Sequence, residues 1–230
     1  MLIFKREFSL FVILLLISVS TIGQTYVGFP DSNVVWRQTD YWNNQTSLIC
    51  RDYQLFIVGD TTINSIAYSN IYWSGTWGPN GWCNYQVFST GTPIVGLRED
   101  STKHIYLFDY NSSMEYLLYD FNLTLGDTLP NALPLNQWQG GTIITISQLD
   151  SVQIGATYRK RYWCSTSLSS SCSPCTNYMS IIEGIGSEYG LFADLSPNWP
   201  EKNYSLICLS QNGQTIYPFG QTCNLVPVWN

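Results

Sequence analysis

Three carboxylates in this sequence are candidates for general acids and bases because of their positions at the ends of apolar segments. Glu99 and Asp100 are adjacent at the end of an apolar segment, and Glu183 ends another such segment before Gly184 and Gly186. Two carboxylates held roughly 5 to 9 Å apart across a sugar can hydrolyse a glycosidic bond. Neighbouring strand residues point to opposite faces of a sheet, so Glu99 and Asp100 can share a cleft only if the strand has ended before them. Glu183 could supply the second carboxylate from another strand. A polysaccharide-active hydrolase with paired carboxylates is therefore one hypothesis.

Basic residues close to these acids favour a structural role instead. Arg159 and Arg161 lie in the run RKRY, where strand alternation places both on one face. Opposite charges on neighbouring strands commonly pair and hold the strands in register. We therefore predict structural ion pairs rather than an anion-binding face, with Glu183 pairing with an arginine of this run and Asp150 as another partner. The residues expected in such pairs are Arg98, Glu99, Asp100, Arg159, Arg161 and Glu183.

Aromatic residues are concentrated in a segment where they alternate with glycine. Trp73, Trp77 and Trp82 lie in this segment, and Tyr85 follows it. Exposed aromatic rings stack on sugars or anchor protein partners. We therefore predict that a loop over residues 74–86 carries a binding surface. The alternative is that the rings fold back and cap one end of the sheet, because tryptophan is well buried on average.

The chain has seven cysteines, at positions 50, 83, 164, 172, 175, 208 and 223. Cysteines of exported proteins usually pair, which predicts disulfides and one remaining thiol. Cys208 and Cys223 form the best predicted pair, because the hairpin between them can bring them together. Cys164, Cys172 and Cys175 are further candidates, and their connectivity stays open.

Metal and cofactor chemistry is not indicated by the sequence. The CxxC spacing of Cys172 and Cys175 also occurs in zinc and redox sites, but the chain has a single histidine, His104, about 70 residues away. The sequence contains no GxSxG elbow, no GxxxxGK[ST] loop and no HExxH motif. We therefore expect no metal and no cofactor, and a non-catalytic role is favoured.

Period-two segments separated by turn residues recur along the chain, and helical periodicity is nearly absent. The predicted strands cover residues 48–58, 62–73, 94–99, 104–110, 115–123, 143–153, 158–164, 205–211 and 214–217, with Gly59-Asp60 as the first turn. Asn212-Gly213 is the strongest hairpin signal, since both central positions of that turn need positive φ. Consecutive hairpins imply an antiparallel meander that curls to hide its edges. We predict one all-β domain over residues 24–230, an open or closed barrel, with a β-sandwich as the alternative.

Residues 1–23 have the pattern of a secretory signal peptide. Lys5 and Arg6 precede an apolar run over residues 8–20, and Thr21 and Gly23 supply small residues before a cleavage point at Gln24. The apolar run is shorter than the roughly 20 residues that span a bilayer. We therefore expect an exported, secreted or periplasmic protein without membrane insertion.

The charge balance and composition narrow the class of partner. Without the first 23 residues the chain has 8 basic and 15 acidic residues, a net charge of −7. Nucleic acid and anionic lipid both need clustered Lys and Arg, so neither is expected as a partner. Aromatic residues make up 15% of the chain and charged residues 11%, which suits half-buried sheet surfaces.

Several short segments carry a family resemblance in their order and spacing. They are VGDTTIN at 58–64, GLRED at 96–100, LLYDF at 117–121, LGDT at 125–128, YRKRY at 158–162 and IEGIGS at 182–187. Together, over residues 25–217, they resemble a group of secreted, uncharacterised proteins of Bacteroidetes, many of which carry a C-terminal type IX secretion sorting domain. The resemblance implies export and supplies no activity. No sorting domain follows Cys223 in this sequence, so we expect a periplasmic or released protein.

The leading hypothesis is a secreted binding module that contacts a glycan or a protein through its loops. The alternatives are the polysaccharide-active hydrolase and a barrel that holds an apolar ligand in its lumen. The sequence does not indicate an oligomeric state.

Overall fold

The computed structural model describes residues 24–43, 47–79, 82–129, 143–166, 179–192, 202–221 and 223. These residues form antiparallel strands and no helix, which confirms the all-β prediction. The strands are β1 Val34–Asn43, β2 Leu48–Ile63, β3 Ile66–Pro79, β4 Gln86–Ser89, β5 Val95–Glu99, β6 His104–Asp109, β7 Met114–Asp120, β8 Ile144–Ile154, β9 Thr157–Thr166, β10 Met179–Ile182, β11 Gly186–Ser187, β12 Lys202–Gln211 and β13 Gln214–Tyr217.

The strands form two sheets. The large sheet has the order β13-β12-β1-β2-β3-β5-β6-β7, with β4 also paired to β3, and the small sheet has the order β11-β10-β9-β8. Most neighbouring strands are consecutive in sequence, as in the predicted meander, but the chain leaves the large sheet after β7, builds the small sheet and returns to place β12 beside β1. The large sheet does not close on itself, so the architecture is an open barrel or a sandwich.

The two sheets share one hydrophobic core. Trp36 of β1 is fully buried, and its indole Nε1 donates to the carbonyl oxygen of Ile185 at 3.1 Å. The hydroxyl of Tyr119 in β7 donates to the carbonyl of Leu191 at 2.7 Å and accepts from the N–H of Ser187 at 3.2 Å. Burial of such large side chains contributes about 1.5 to 3 kcal/mol each. The polar atoms of these two buried side chains therefore form hydrogen bonds that connect one sheet to the other.

The first hairpin turns later than predicted. Asn64 and Ser65 form the turn with φ of 49° and 68°, the paired positive values of a tight two-residue hairpin loop. Gly59, which was expected at the turn, instead has φ of 64° where the β2–β3 register shifts between Ile57 and Asp60. The glycine therefore marks a bulge inside β2 rather than the end of the strand.

The predicted loop over residues 74–86 is largely strand. β3 pairs with β2 as far as Pro79, so Trp73 and Trp77 are strand residues. The glycines that suggested a loop occur where chains approach closely: a Cβ on Gly75 would lie 2.5 Å from the Cβ of Tyr53. Glycine here permits close packing between neighbours instead of a turn.

The structure contains the predicted disulfide between Cys208 and Cys223, with Cα atoms 5.7 Å apart, and this prediction is confirmed. A second disulfide joins Cys50 to Cys83, with Cα atoms 4.7 Å apart. The prediction that Cys164 pairs was wrong: within the described residues it is a buried free thiol, and burial raises its pKa to about 12. Cys172 and Cys175 lie outside the described residues.

In the part of the chain that the structure describes, no helix has the length and apolar character needed to cross a bilayer.

Candidate functional site

An open groove of about 510 Å³ lies on the large sheet and is lined mainly by aromatic side chains. Its lining residues are Trp42, Ile49, Arg51, Trp73, Trp77, Phe88, Ser89 and Thr90. They come from β1, β2, β3 and β4 and from the connection that follows β4. Four neighbouring strands thus contribute to one concave surface, which we call the aromatic groove.

Strand register explains why these side chains meet. Trp42 is opposite Ile49, and Arg51 is opposite Trp77, in antiparallel pairs that place both members on one face. Trp73 is opposite Leu55, which is 1% exposed in the core. The aromatic groove is therefore a continuation of the core-facing side of the large sheet.

Two aromatic neighbours hold Trp73 in place. Its ring centroid lies 4.8 Å from that of Phe88 and 5.8 Å from that of Tyr53, the latter in an edge-to-face arrangement at 86°. Such pairs contribute roughly 0.5 to 1.5 kcal/mol beyond the area that they bury. The wall of the aromatic groove is consequently formed before any ligand arrives.

Arg51 forms the polar centre of the aromatic groove. Its guanidinium carbon lies 4.7 Å from the ring centroid of Trp42 and 5.8 Å from that of Trp73. Nε donates to Oδ1 of Asp40 at 2.8 Å, and Nη2 lies 2.6 Å from Oδ2. Asp40 is directly opposite Arg51 in the β1–β2 ladder, so the pair is set by strand register.

Burial shapes the protonation of this pair. Burial raises the pKa of Asp40, and the hydrogen bond and charge of Arg51 oppose that rise. Burial alone would lower the pKa of Arg51, but the hydrogen bond and charge of Asp40 outweigh it and raise the pKa. The side chain of Asp40 is 1% exposed and that of Arg51 is 25% exposed, so the aromatic groove meets only the cation.

The four aromatic residues predicted as a binding surface lie in two places. Trp73 and Trp77 line the aromatic groove. Trp82 and Tyr85 do not, and both are 70% exposed in the turn between β3 and β4.

The disulfide explains this division. Cys50 is opposite Gly78 in the β2–β3 ladder, one residue away from the Arg51–Trp77 pair and therefore on the other face. A Cβ on Gly78 would lie 2.6 Å from the Cβ of Tyr85, and Cys83 is bonded to Cys50. The turn with the two exposed rings is thus fixed against the face opposite the aromatic groove.

Arg98 and Arg161 form ion pairs, as predicted for both residues. Nε of Arg98 lies 2.7 Å from Oε1 of Glu115, and Nη2 of Arg161 lies 2.7 Å from Oδ2 of Asp150. Both pairs connect strands, since Glu115 is in β7 and Asp150 is opposite Arg161 in β8. The Arg161–Asp150 pair supports the β8–β9 register, whereas the Arg98–Glu115 pair connects β5 to β7 across β6. Both pairs lie outside the aromatic groove.

The expected ion pair of Glu99 is replaced by hydrogen bonds. Its Oε1 accepts from the hydroxyl of Tyr26 at 2.6 Å, and its Oε2 accepts from the N–H of Phe29 at 2.7 Å. Glu99 therefore fastens the segment before β1 to the end of β5. It also borders a separate groove of about 290 Å³ with Asp31 and Asp60.

Asp100 caps the turn between β5 and β6. It accepts hydrogen bonds from the N–H of Thr102 at 2.8 Å, from the Thr102 hydroxyl at 2.7 Å and from the N–H of His104 at 3.0 Å. Burial would raise the pKa of Asp100, but these hydrogen bonds lower it well below its usual value. Asp100 was predicted to take part in an ion pair, and the basic side chain beside it is His104, whose Nδ1 lies 3.3 Å from Oδ2.

Glu183 does not pair with an arginine of the RKRY run, so that prediction was wrong. Its Oε2 accepts from the main-chain N–H of Lys160 at 3.3 Å, and Nη1 of Arg159 donates to the carbonyls of Glu183 and Gly184, each at 3.3 Å. The predicted glycine turn is confirmed, with φ of 66° at Gly184 and 96° at Gly186. Burial raises the pKa of Glu183, which is 4% exposed.

Trp42, Arg51 and Phe88 belong to the site but were not predicted. Trp42 and Asp40 share the even-numbered face of β1, a strand that the sequence patterns did not identify. The alternation of Val34, Trp36 and Trp42 was the available signal. The polar residues between Trp36 and Trp42 on that face obscured it.

No group of three or more His, Cys, Asp or Glu side chains in the described ranges is arranged to hold a metal ion. In comparisons with known proteins, no protein-family model, no curated protein and no solved structure matches this chain.

Proposed function

We propose that this protein is an exported, non-catalytic module that binds carbohydrate in the aromatic groove. The observation that carries the proposal is the arrangement of Trp42, Trp73 and Trp77 around Arg51 in one open groove. A sugar ring offers C–H groups that pack on aromatic faces and hydroxyls that accept from a guanidinium. Sites of this kind combine apolar walls with a few fixed polar groups.

The lining of the aromatic groove favours binding over hydrolysis. Hydrolysis of a glycosidic bond ordinarily needs two carboxylates beside the scissile bond. None of the described residues that line the aromatic groove is acidic, and Asp40 lies behind Arg51 with 1% exposure. Glu183 is also buried, at 4% exposure. A bound sugar would therefore meet aromatic rings and a cation rather than an acid and a base.

The filled core argues against a barrel with an apolar ligand in its lumen. Trp36, Tyr119 and Tyr162 are each 1% exposed or less and occupy the space between the sheets. Protein interiors filled by such side chains are close-packed, which argues against a ligand-holding lumen between the described strands.

Export is the part of the proposal that rests on the sequence. The pattern over residues 1–23 is that of a signal peptide. The disulfides Cys50–Cys83 and Cys208–Cys223 suit an oxidising compartment.

Glycan-array screening followed by calorimetry of the hits tests the proposal. Trp77→Ala should weaken binding by about tenfold or more, since a central aromatic contact in a binding site contributes about 2 kcal/mol. Trp82→Ala is the matched control, because Trp82 is 70% exposed on the opposite face. The control should bind as the wild type does, and circular dichroism should show both variants folded.

Two results would contradict the proposal. One is a wild-type protein that binds no glycan. The other is an equal loss of affinity in the two tryptophan variants, which would place the contact outside the aromatic groove.

A further inference from the structure

We infer that the aromatic groove selects neutral sugars and discriminates against acidic ones, because Asp40 compensates the charge of Arg51 from behind. This inference rests on the proposed function and names its ligand class. Arg51 is the one charged residue among the described residues that line the aromatic groove. The ion pair that Arg51 makes with Asp40, and the N–H groups that Arg51 has left for a ligand, therefore determine whether the aromatic groove prefers neutral or acidic sugars.

The compensating charge is close and cannot be displaced by a ligand. Asp40 contacts Arg51 at two points, at 2.8 Å and 2.6 Å. The carboxylate is 1% exposed, whereas the guanidinium is 25% exposed. A ligand thus reaches the cation from one side only, while the matching anion remains on the other.

The guanidinium retains hydrogen-bonding capacity toward the aromatic groove. It has five N–H donors in a planar fork, and the contacts with Asp40 involve Nε and Nη2. A planar edge with two parallel N–H groups suits two adjacent oxygen atoms. Vicinal hydroxyls of a pyranose present such oxygens without charge.

An anionic sugar would meet three unfavourable effects in the same place. Its carboxylate would lose hydration on binding beside Arg51. Because Asp40 already neutralises the charge of Arg51, the remaining attraction would not compensate this desolvation free energy. The faces of Trp42 and Trp73 carry the negative side of the ring quadrupole. The whole chain has a formal net charge of −6, which repels anions at long range.

The test compares pairs of oligosaccharides that differ only in oxidation at C6. The probes are the β-1,4-linked hexasaccharides of glucose and glucuronate, and of mannose and mannuronate, measured by calorimetry and printed together on the array. We expect the neutral member of a pair to bind about tenfold or more tightly, with an affinity that changes little between about 0.05 and 0.5 M NaCl.

The outcomes separate the two proposals. An acidic member that binds as tightly as its neutral partner, or more tightly, overturns the inference and leaves the proposed function in place. A protein that binds no glycan on the array overturns the proposed function and the inference with it.

Asp40→Asn tests the cause of the selectivity. The amide keeps the size of the side chain and removes its charge, so the preference for the neutral member should fall by about tenfold or reverse. Asp52→Asn is the matched control, because Asp52 makes the equivalent pair with Arg37, at 2.5 Å, on the opposite face of the sheet. An unchanged preference in Asp40→Asn, with the control also unchanged, would overturn the role assigned to Asp40. The salt and oxidation comparisons on the wild type decide the inference even where Asp40→Asn does not fold.

Discussion

Removing the hydroxyl of Tyr119 should destabilise the protein, because this hydroxyl connects the large sheet to the small one. This hydroxyl donates to the carbonyl of Leu191 at 2.7 Å and accepts from the N–H of Ser187 at 3.2 Å, and Tyr119 is 1% exposed. Tyr119→Phe leaves both main-chain groups buried without their partner. Each of the two orphaned groups costs about 1 to 3 kcal/mol, so we expect the free energy of unfolding to fall by about 2 to 6 kcal/mol.

Two other tyrosines give a graded comparison. The hydroxyl of Tyr162, which is also 1% exposed, makes one bond, to the carbonyl of Phe121 at 2.6 Å. Tyr162→Phe should therefore cost about 1 to 3 kcal/mol, half of the loss expected for Tyr119→Phe. The hydroxyl of Tyr116 contacts the sulfur of Met114 at 3.5 Å in an exposed position, so Tyr116→Phe should change stability by less than about 0.5 kcal/mol.

Urea unfolding followed by tryptophan fluorescence measures the three differences. The slope of the free energy against urea should stay the same in all variants, since the surface exposed on unfolding is unchanged. The order of loss should be Tyr119→Phe, then Tyr162→Phe, then Tyr116→Phe. Equal losses for the first and last variants would refute the reasoning, because they would show that the buried bonds do not join the sheets.

Three further predictions concern protonation, covalent linkage and strand packing. Burial raises the folded-state pKa of Glu183 above its ordinary 4.5, so the wild type should lose stability as the pH rises through that folded value. Glu183→Gln should lack this loss. Urea titrations from pH 4.5 upward should therefore show the free energy of unfolding of the variant rising relative to that of the wild type as the pH increases. Replacing both Cys50 and Cys83 with serine should cost about 3 to 4 kcal/mol, because the bond closes a sequence separation of 33. Reductant should lower the melting temperature of this variant less than that of the wild type, because only the Cys208–Cys223 bond of the two described disulfides remains to be reduced. Gly75→Ala should cost about 1 to 3 kcal/mol and weaken glycan binding, since its Cβ would lie 2.4 Å from a main-chain oxygen. Gly91→Ala, with nothing within 4 Å of the added Cβ, should do neither.

Turns were predictable where the signal is local. Asn212 and Gly213 have φ of 51° and 76°, which is the geometry that the Asn-Gly pair predicts. The turn closed by Asp100 lies between β5 and β6 as expected. Gly59 was misjudged because a glycine with positive φ serves a bulge as well as a turn, and only the pairing partner distinguishes the two.

Strand β1 was not predicted, because its core-facing side is not uniformly apolar. Val34 and Trp36 are followed on that side by Gln38 and Asp40, which are 2% and 1% exposed. The polar pair is tolerated because Gln38 accepts a hydrogen bond from the N–H of Leu191 at 2.9 Å and Asp40 pairs with a cation. Leu191 is far from Gln38 in the sequence, and Arg51 is opposite Asp40 only when β1 pairs with β2 in the correct register, so the residue pattern of β1 alone indicates neither partner.

Only part of the candidate site could be predicted, because some of its residues depend on cross-strand pairing that the local sequence does not reveal. Trp73 and Trp77 were identified from their aromatic chemistry, whereas Arg51 was not, because its role depends on facing Asp40 across the β1–β2 ladder. Trp82 was grouped with its neighbours in sequence. The Cys50–Cys83 bond and the alternation of β3 assign it to the other face.

The placement of β12 beside β1 has a consequence for the order of assembly. Val34 is opposite Gln211, so β1 acquires this neighbour only after the chain has been synthesised as far as β12. The N–H of Leu206 in β12 also donates to the carbonyl of Glu188, at 2.9 Å, beyond the end of the small sheet. Contacts between such distant segments are slow to form, because the loop entropy is lost before they stabilise the chain. Until then β1 has an unpaired edge that can recruit strands from other molecules. A chain whose β12 is not yet paired should therefore associate more readily with other copies, and pairing of β12 with β1 removes that exposed edge.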